Sequence, residues 1–171
     1  DLNDTLGNFI HRTLTFINRY FDGAVPKPSE LDRYDKRVLR SALRRVEKTG
    51  KDLENLKLQS ALQAVIGLSH LGNRYLNRKE PWNAIKTDPK TAANTLYVAV
   101  QIIKALAITL EPFIPFTAER LWGLLNLSGT IHEQRWNEAT IAIPPGHKMN
   151  KPIPLFQKIE WTEDALKAEL E

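Results

Sequence analysis

"LYVAVQIIKALAITL", residues 96–110, is the most apolar stretch of the chain, with Lys104 as its only charge. A helix that is apolar all round belongs inside a protein, wrapped by other elements. Asp88 followed by Pro89 reads as an N-cap with proline at the first helical position, so a helix is predicted from Pro89 to about Glu111. "EPFIPF" breaks it, and Pro115 can open another helix through "TAERLWGLLNL".

The flanking segments supply the wrapping. Residues 2–21 place Leu2, Leu6, Phe9, Ile10, Leu14, Ile17, Tyr20 and Phe21 on one side of an amphipathic helix. "FDGAVPKPSE" ends it. Ser29 followed by Asp32 resembles a capping box and predicts a second helix to about Lys48, with Leu31, Val38, Ala42 and Val46 inward and Gly50 closing it. A third helix is predicted over 53–79, apolar at Leu58, Leu62, Val65, Ile66, Leu68, Tyr75 and Leu76. Pro81 ends that helix, and Trp82 begins a new segment in polar company.

From Ser128 the pattern changes. Pro144, Pro145, Pro152 and Pro154 exclude a helix there, short extended pieces are expected at 140–143 and 156–161, and a short helix after Thr162. The expected fold is all-α: an antiparallel bundle of about five helices over 1–127, with an irregular, short-strand extension over 128–171.

At 171 residues, 42% hydrophobic and 26% charged, the chain is globular and long enough for a real core. No apolar run is expected to reach the ~20 residues of a membrane span, which predicts a soluble, cytoplasmic protein without a membrane partner. With no cysteine, disulfides and thiol chemistry are excluded; His11, His70, His132 and His147 are too scattered to suggest a metal site. The net charge is +4, and residues 31–51 carry eight basic against three acidic side chains, which suits a polyanionic partner.

Two basic rows follow helical spacing. Asn8, Arg12, Thr15 and Arg19 recur at intervals of 4, 3 and 4 on the polar side of the first helix. Asn offers a donor and an acceptor to a base edge, and Arg a charged fork to a phosphate or carbonyl. Arg33, Arg37, Arg40, Arg44, Lys48 and Lys51 form a second row, suited to a phosphate backbone. Ordinary solvated faces have the same spacing, and spacing alone does not separate the two readings. No GxGxxG, GxxxxGK[ST] or GxSxG motif is present, so nothing argues for catalysis by this segment.

"LNDTLGNFIHRTLTFINRYFDG" (2–23) with "NRYLNRKEPWNAIK" (73–86) resembles the anticodon-binding domain of methionyl-tRNA synthetase, of the archaeal or eukaryotic type. "PPGHKMNKPIPLFQKIE" (144–160) is similar to the segment after the helices in that family. The resemblance implies a partner, the CAU anticodon loop of methionine tRNA. It places the anticodon-facing asparagine and arginine on Asn8 and Arg12, and the proline-tryptophan pair on Pro81 and Trp82, the tryptophan stacking on the anticodon. Thr15, Arg19, Arg33, Arg37, Arg40 and Arg44 are then candidate RNA-backbone contacts.

The resemblance also implies that a catalytic domain of the same chain, with its HIGH and KMSKS motifs, lies outside this segment. ATP, and zinc where the parent uses it, would belong there. No cofactor or metal is expected here, and no aminoacylation by the segment alone. "HKMNKP" (147–152) has only a passing likeness to KMSKS. Residues 128–171 would pack on the bundle or on that catalytic domain. The anticodon domain of another class I synthetase, or a basic helical module docking a protein or membrane with Trp82 at its centre, shares the coarser features.

Overall fold

The computed structural model describes residues 3–156. Six α-helices occur among them: α1 (Asn8–Tyr20), α2 (Arg33–Glu54), α3 (Leu58–Lys79), α4 (Pro81–Thr87), α5 (Pro89–Leu110) and α6 (Pro115–Leu124). A π-helical turn, Asn3–Gly7, precedes α1. No strand forms among the described residues; one isolated antiparallel bridge joins Ala24 to Lys148. The expected all-α bundle is the fold found.

Helix α5 is its axis, buried from Ala92 to Leu110 except at Tyr97 and Gln101 and packed on the other five helices. Contrary to the sequence expectation, Pro89–Leu110 is long and apolar enough to cross a membrane, at a mean hydropathy of 1.5, but 83% of that window is buried by its neighbours. Burial also explains Lys104. Desolvation pulls its pKa below the ordinary value against the opposing pull of Glu138, and its Nζ donates to the Ile141 carbonyl at 2.9 Å.

Residues 129–156 supply that carbonyl because they lie on the bundle. Gln101 Oε1 accepts from Ile143 N at 2.7 Å while its Nε2 donates back to Ile143 O at 3.1 Å. Val25 N donates to His147 O, Gly146 N to Val25 O and Met149 N to Gly23 O, stitching the turn after α1 to this segment. The extended piece expected at 140–143 is no strand: a 3-10 turn, Trp136–Thr140, runs into residues held by Gln101 and Lys104. Of the piece expected at 156–161 only Phe156 is described, in a bend and not a strand, and the rest of it and the helix after Thr162 lie outside the described residues.

Three helix boundaries differ from the sequence reading, each for a local reason. Asp32, and not Ser29, caps α2: its Oδ1 accepts from Tyr34 N and Asp35 N, while Asp35 Oδ2 accepts from Asp32 N, closing the box one turn later. Ser29 is taken by Asn94 of α5, whose Oδ1 accepts from both its backbone N and its hydroxyl. Gly50 does not end α2. It makes room for Trp136, whose Nε1 would lie 2.9 Å from a Cβ there and donates to the Val46 carbonyl at 3.2 Å. Helix α3 accordingly starts at Leu58 rather than at 53, and Leu58 and Leu62 are exposed at this corner, 60% and 37%, instead of inward.

Gly72 lets the Phe9 ring of α1 lie directly against α3. A Cβ there would overlap the ring of Phe9, which is fully buried and has nowhere to move. Gly72→Ala should therefore destabilise by roughly 1–3 kcal/mol, outweighing the ~1 kcal/mol alanine gains in a helix. Thermal melting checks this; an unchanged or raised midpoint contradicts the packing.

Candidate nucleic-acid interface

A buried polar knot fixes the corner where α3 meets α4. Tyr75 Oη donates to Asp35 Oδ1 at 2.8 Å, and Lys79 Nζ lies 2.7 Å from that same oxygen and 2.6 Å from Asp32 Oδ2. Asp35 and Tyr75 are essentially without solvent exposure. Burial, reinforced by Asp35, raises the Tyr75 pKa far above its ordinary value, so the phenol remains a donor. Burial alone would lower the Lys79 pKa, but its hydrogen bonds to Asp32 and Asp35 outweigh that and hold it raised. Lys79's hydrogen bond in turn lowers the Asp32 pKa.

These directions set a pH window. The depressed Asp32 carboxyl contributes stability present above its ordinary 3.8 and lost as pH falls through its folded value. The raised Lys79 ammonium contributes stability present below 10.5 and lost as pH rises through its folded value. The melting midpoint should be level between these limits and fall outside them, and Asp32→Asn should flatten the acid limb. An acid limb identical in Asp32→Asn and the parent would remove Asp32 from this account.

The knot ends one residue before a sharp corner. Glu80 has φ 42°, in the left-handed region, which stops α3 and lets Pro81 open α4 at its first position. The sequence reading found this stop but no helix after it. Pro81 is buried, and Trp82 is half-buried, packed against the core on a helix whose neighbours Asn83 and Lys86 are exposed.

Helix α1 brings its polar row to this corner. The Arg12 guanidinium lies over the Trp82 ring, Cζ 4.8 Å from the centroid, and its Nη1 donates to Asn77 Oδ1 of α3 at 3.2 Å. Thr15 Oγ1 is 3.5 Å from His11 Nε2. A cavity of about 350 Å³ opens here, lined from α1 by Arg12, Thr15, Phe16, Arg19 and Tyr20 and from the far side by Pro81 and Trp82.

Of the expected site residues, the structure thus gathers Arg12, Thr15, Arg19, Pro81 and Trp82 around one cavity. Asn8 is exposed one turn before Arg12 and does not line it. Arg33, Arg37, Arg40 and Arg44 are all exposed on α2, without an ion pair among the described residues, and none lines the cavity. Sequence reading missed Phe16, and it counted Tyr20 toward the core although the ring is 42% exposed. Among the described residues no three His, Asp or Glu side chains converge as metal ligands would.

An arginine over an indole beside an aromatic cavity, on a basic helical surface, suits an unstacked base and its phosphates. Residues 25–169 match a family described as the anticodon binding domain of methionyl tRNA ligase. The methionine-tRNA ligase of Pyrococcus abyssi is 42% identical over 166 residues, 97% of this chain and 22% of that protein. The corresponding ligase of Thermofilum pendens is 37% identical over 171 residues, 100% of this chain and 29% of its own. The chain thus spans between a fifth and a third of the length of these curated relatives. A crystal structure of the free Mycobacterium tuberculosis methionyl-tRNA synthetase shares the fold, with a TM-score of 0.88 at 23% identity over 95% of this chain and 33% of that one. This chain belongs to the family of methionyl-tRNA ligase anticodon-binding domains.

Proposed function

We propose that the chain recognises the CAU anticodon loop of methionine tRNA, as the part of a longer methionine-tRNA ligase that selects the tRNA. The observation that carries this is the Arg12–Trp82 couple at the mouth of an open cavity. An anticodon base splayed out of its stack needs an aromatic face and hydrogen bonds to its edge. Trp82 supplies the face. Arg12 spends one N–H on Asn77 and keeps the rest of its fork for a base carbonyl or phosphate. Asn8, exposed one turn earlier on the same face, offers a donor and an acceptor to a neighbouring base.

The exposed arginines at 33, 37, 40 and 44 would serve the phosphate backbone away from the cavity, by charge and without sequence preference. Aminoacylation, with the ATP it consumes, belongs to the part of the ligase outside these residues. The relatives matched support the methionine reading over that of another class I synthetase.

Asn8→Ala separates recognition from folding. Its side chain is exposed and away from the core, so stability should change by no more than about 0.5 kcal/mol while affinity for a CAU stem-loop falls. Arg12→Ala should lower affinity further and cost stability only modestly, about 0.5–1 kcal/mol for the cation–π contact. Stem-loop titrations alongside melting curves check both. If neither variant changes affinity, α1 does not read the loop.

A further inference from the structure

We infer that Tyr20, with Arg19 over it and Phe16 behind it, is a second stacking site that takes another base of the same RNA strand. The inference rests on the anticodon reading above and extends it to residues that reading does not use.

The geometry repeats the Trp82 corner at the other end of the cavity. Arg19 Cζ lies 5.3 Å from the Tyr20 ring centroid, as Arg12 lies over Trp82 at 4.8 Å. Tyr20 is 42% exposed, and its hydroxyl has no hydrogen-bond partner among the described residues, so burial does not explain the ring's position. Phe16 is half-buried, packs against the core and holds Tyr20 from beneath, with centroids 4.5 Å apart and planes tilted by 31°. Both rings and Arg19 line the same cavity as Trp82.

Residues 12, 16 and 20 form one row along α1, each a turn from the next. Eight residues of helix rise about 12 Å, too far for one base to touch both cation–aromatic couples. A single nucleotide or a free phosphate would fill one end only. A ligand that uses both must carry several aromatic faces and negative charges on one flexible strand, which describes adjacent nucleotides of an RNA loop. Phe116 is exposed as well, but no arginine lies over its ring among the described residues and it does not line this cavity.

The test uses the 171-residue chain, a CAU stem-loop and three versions of it, each lacking one anticodon base. Tyr20→Ala should weaken binding of the intact loop by roughly 5- to 150-fold, the range for one lost base stack. Tyr20→Leu, which keeps the apolar packing on Phe16 without a π-face, should weaken it alike, and Tyr20→Phe should bind like the parent. Removing one base should cost the Tyr20→Ala variant nothing further, and that base should differ from the one to which Trp82→Ala is blind. Parent-like affinity in Tyr20→Ala and Tyr20→Leu overturns the inference while the parent's preference for CAU stands. A parent that ignores the anticodon sequence overturns the underlying reading and this inference with it.

Discussion

Asp35→Ala should lower the stability of the bundle by roughly 3–5 kcal/mol, the largest loss expected from any single change at the interface. The carboxylate is 1% exposed and has three obligations: the Tyr75 hydroxyl, the Lys79 ammonium and the backbone N–H of Asp32. Alanine leaves a buried phenol without an acceptor, costing about 1–3 kcal/mol. It also removes half of the capping box of α2 and one of the two carboxylates facing Lys79. Asp35→Asn can still accept from Tyr75 and should lose less. Tyr75→Phe should soften the effect of Asp35→Ala, because the two changes share a partner and their costs do not add. Denaturant midpoints of the parent, the two single variants and the double variant check this; additive costs would mean the two side chains act separately. Asp35→Ala should also weaken RNA binding, since the knot sits directly before Glu80 and Pro81, which aim Trp82.

Trp82→Ala should cost roughly 1–3 kcal/mol of affinity for the CAU loop, the usual range for a base stacked on an aromatic ring. Folding stability should fall as well, but by less than the ~3–5 kcal/mol of a fully buried tryptophan, because this ring is half-buried. It packs on the core and also carries Arg12 on its ring, so platform and plug are not exclusive roles. Trp82→Phe keeps a π-face and most of the packing and should retain most of both quantities. If Trp82→Ala loses stability but no affinity, the ring is structural and the corner does not read RNA.

Where the physics was local, the fold was legible in the sequence. Asp88-Pro89 and Pro115 open α5 and α6 because proline and an N-cap act on their own turn, and the apolar run at 96–110 is the buried axis because nothing else could cover it. Gly50 was misread because glycine serves two ends, closing helices and admitting large neighbours, and its neighbour Trp136 lies 86 residues away. The candidate site shows the same division. Arg12 and Trp82 were each legible, one from helical spacing and both from the family resemblance, but their contact spans 70 residues and no periodicity encodes it. The Asp35–Tyr75–Lys79 knot was invisible for the same reason, since spacing ranks a buried tyrosine as core and an aspartate in a first turn as a cap. Tyr20 fell on the apolar arc of α1, yet the helix ends there and leaves the ring beside Arg19 in the open.

Whether this chain reads the methionine anticodon at the Arg12–Trp82 corner can be decided by a single titration. The 171-residue chain is titrated at fixed salt with a CAU stem-loop and with the same stem-loop changed only at its cytosine. Saturable binding is expected for the first, and affinity weaker by at least about fivefold for the second, the ~1–3 kcal/mol that reading one base supplies. Equal affinity for the two loops would contradict it, leaving a basic surface that holds RNA by charge alone.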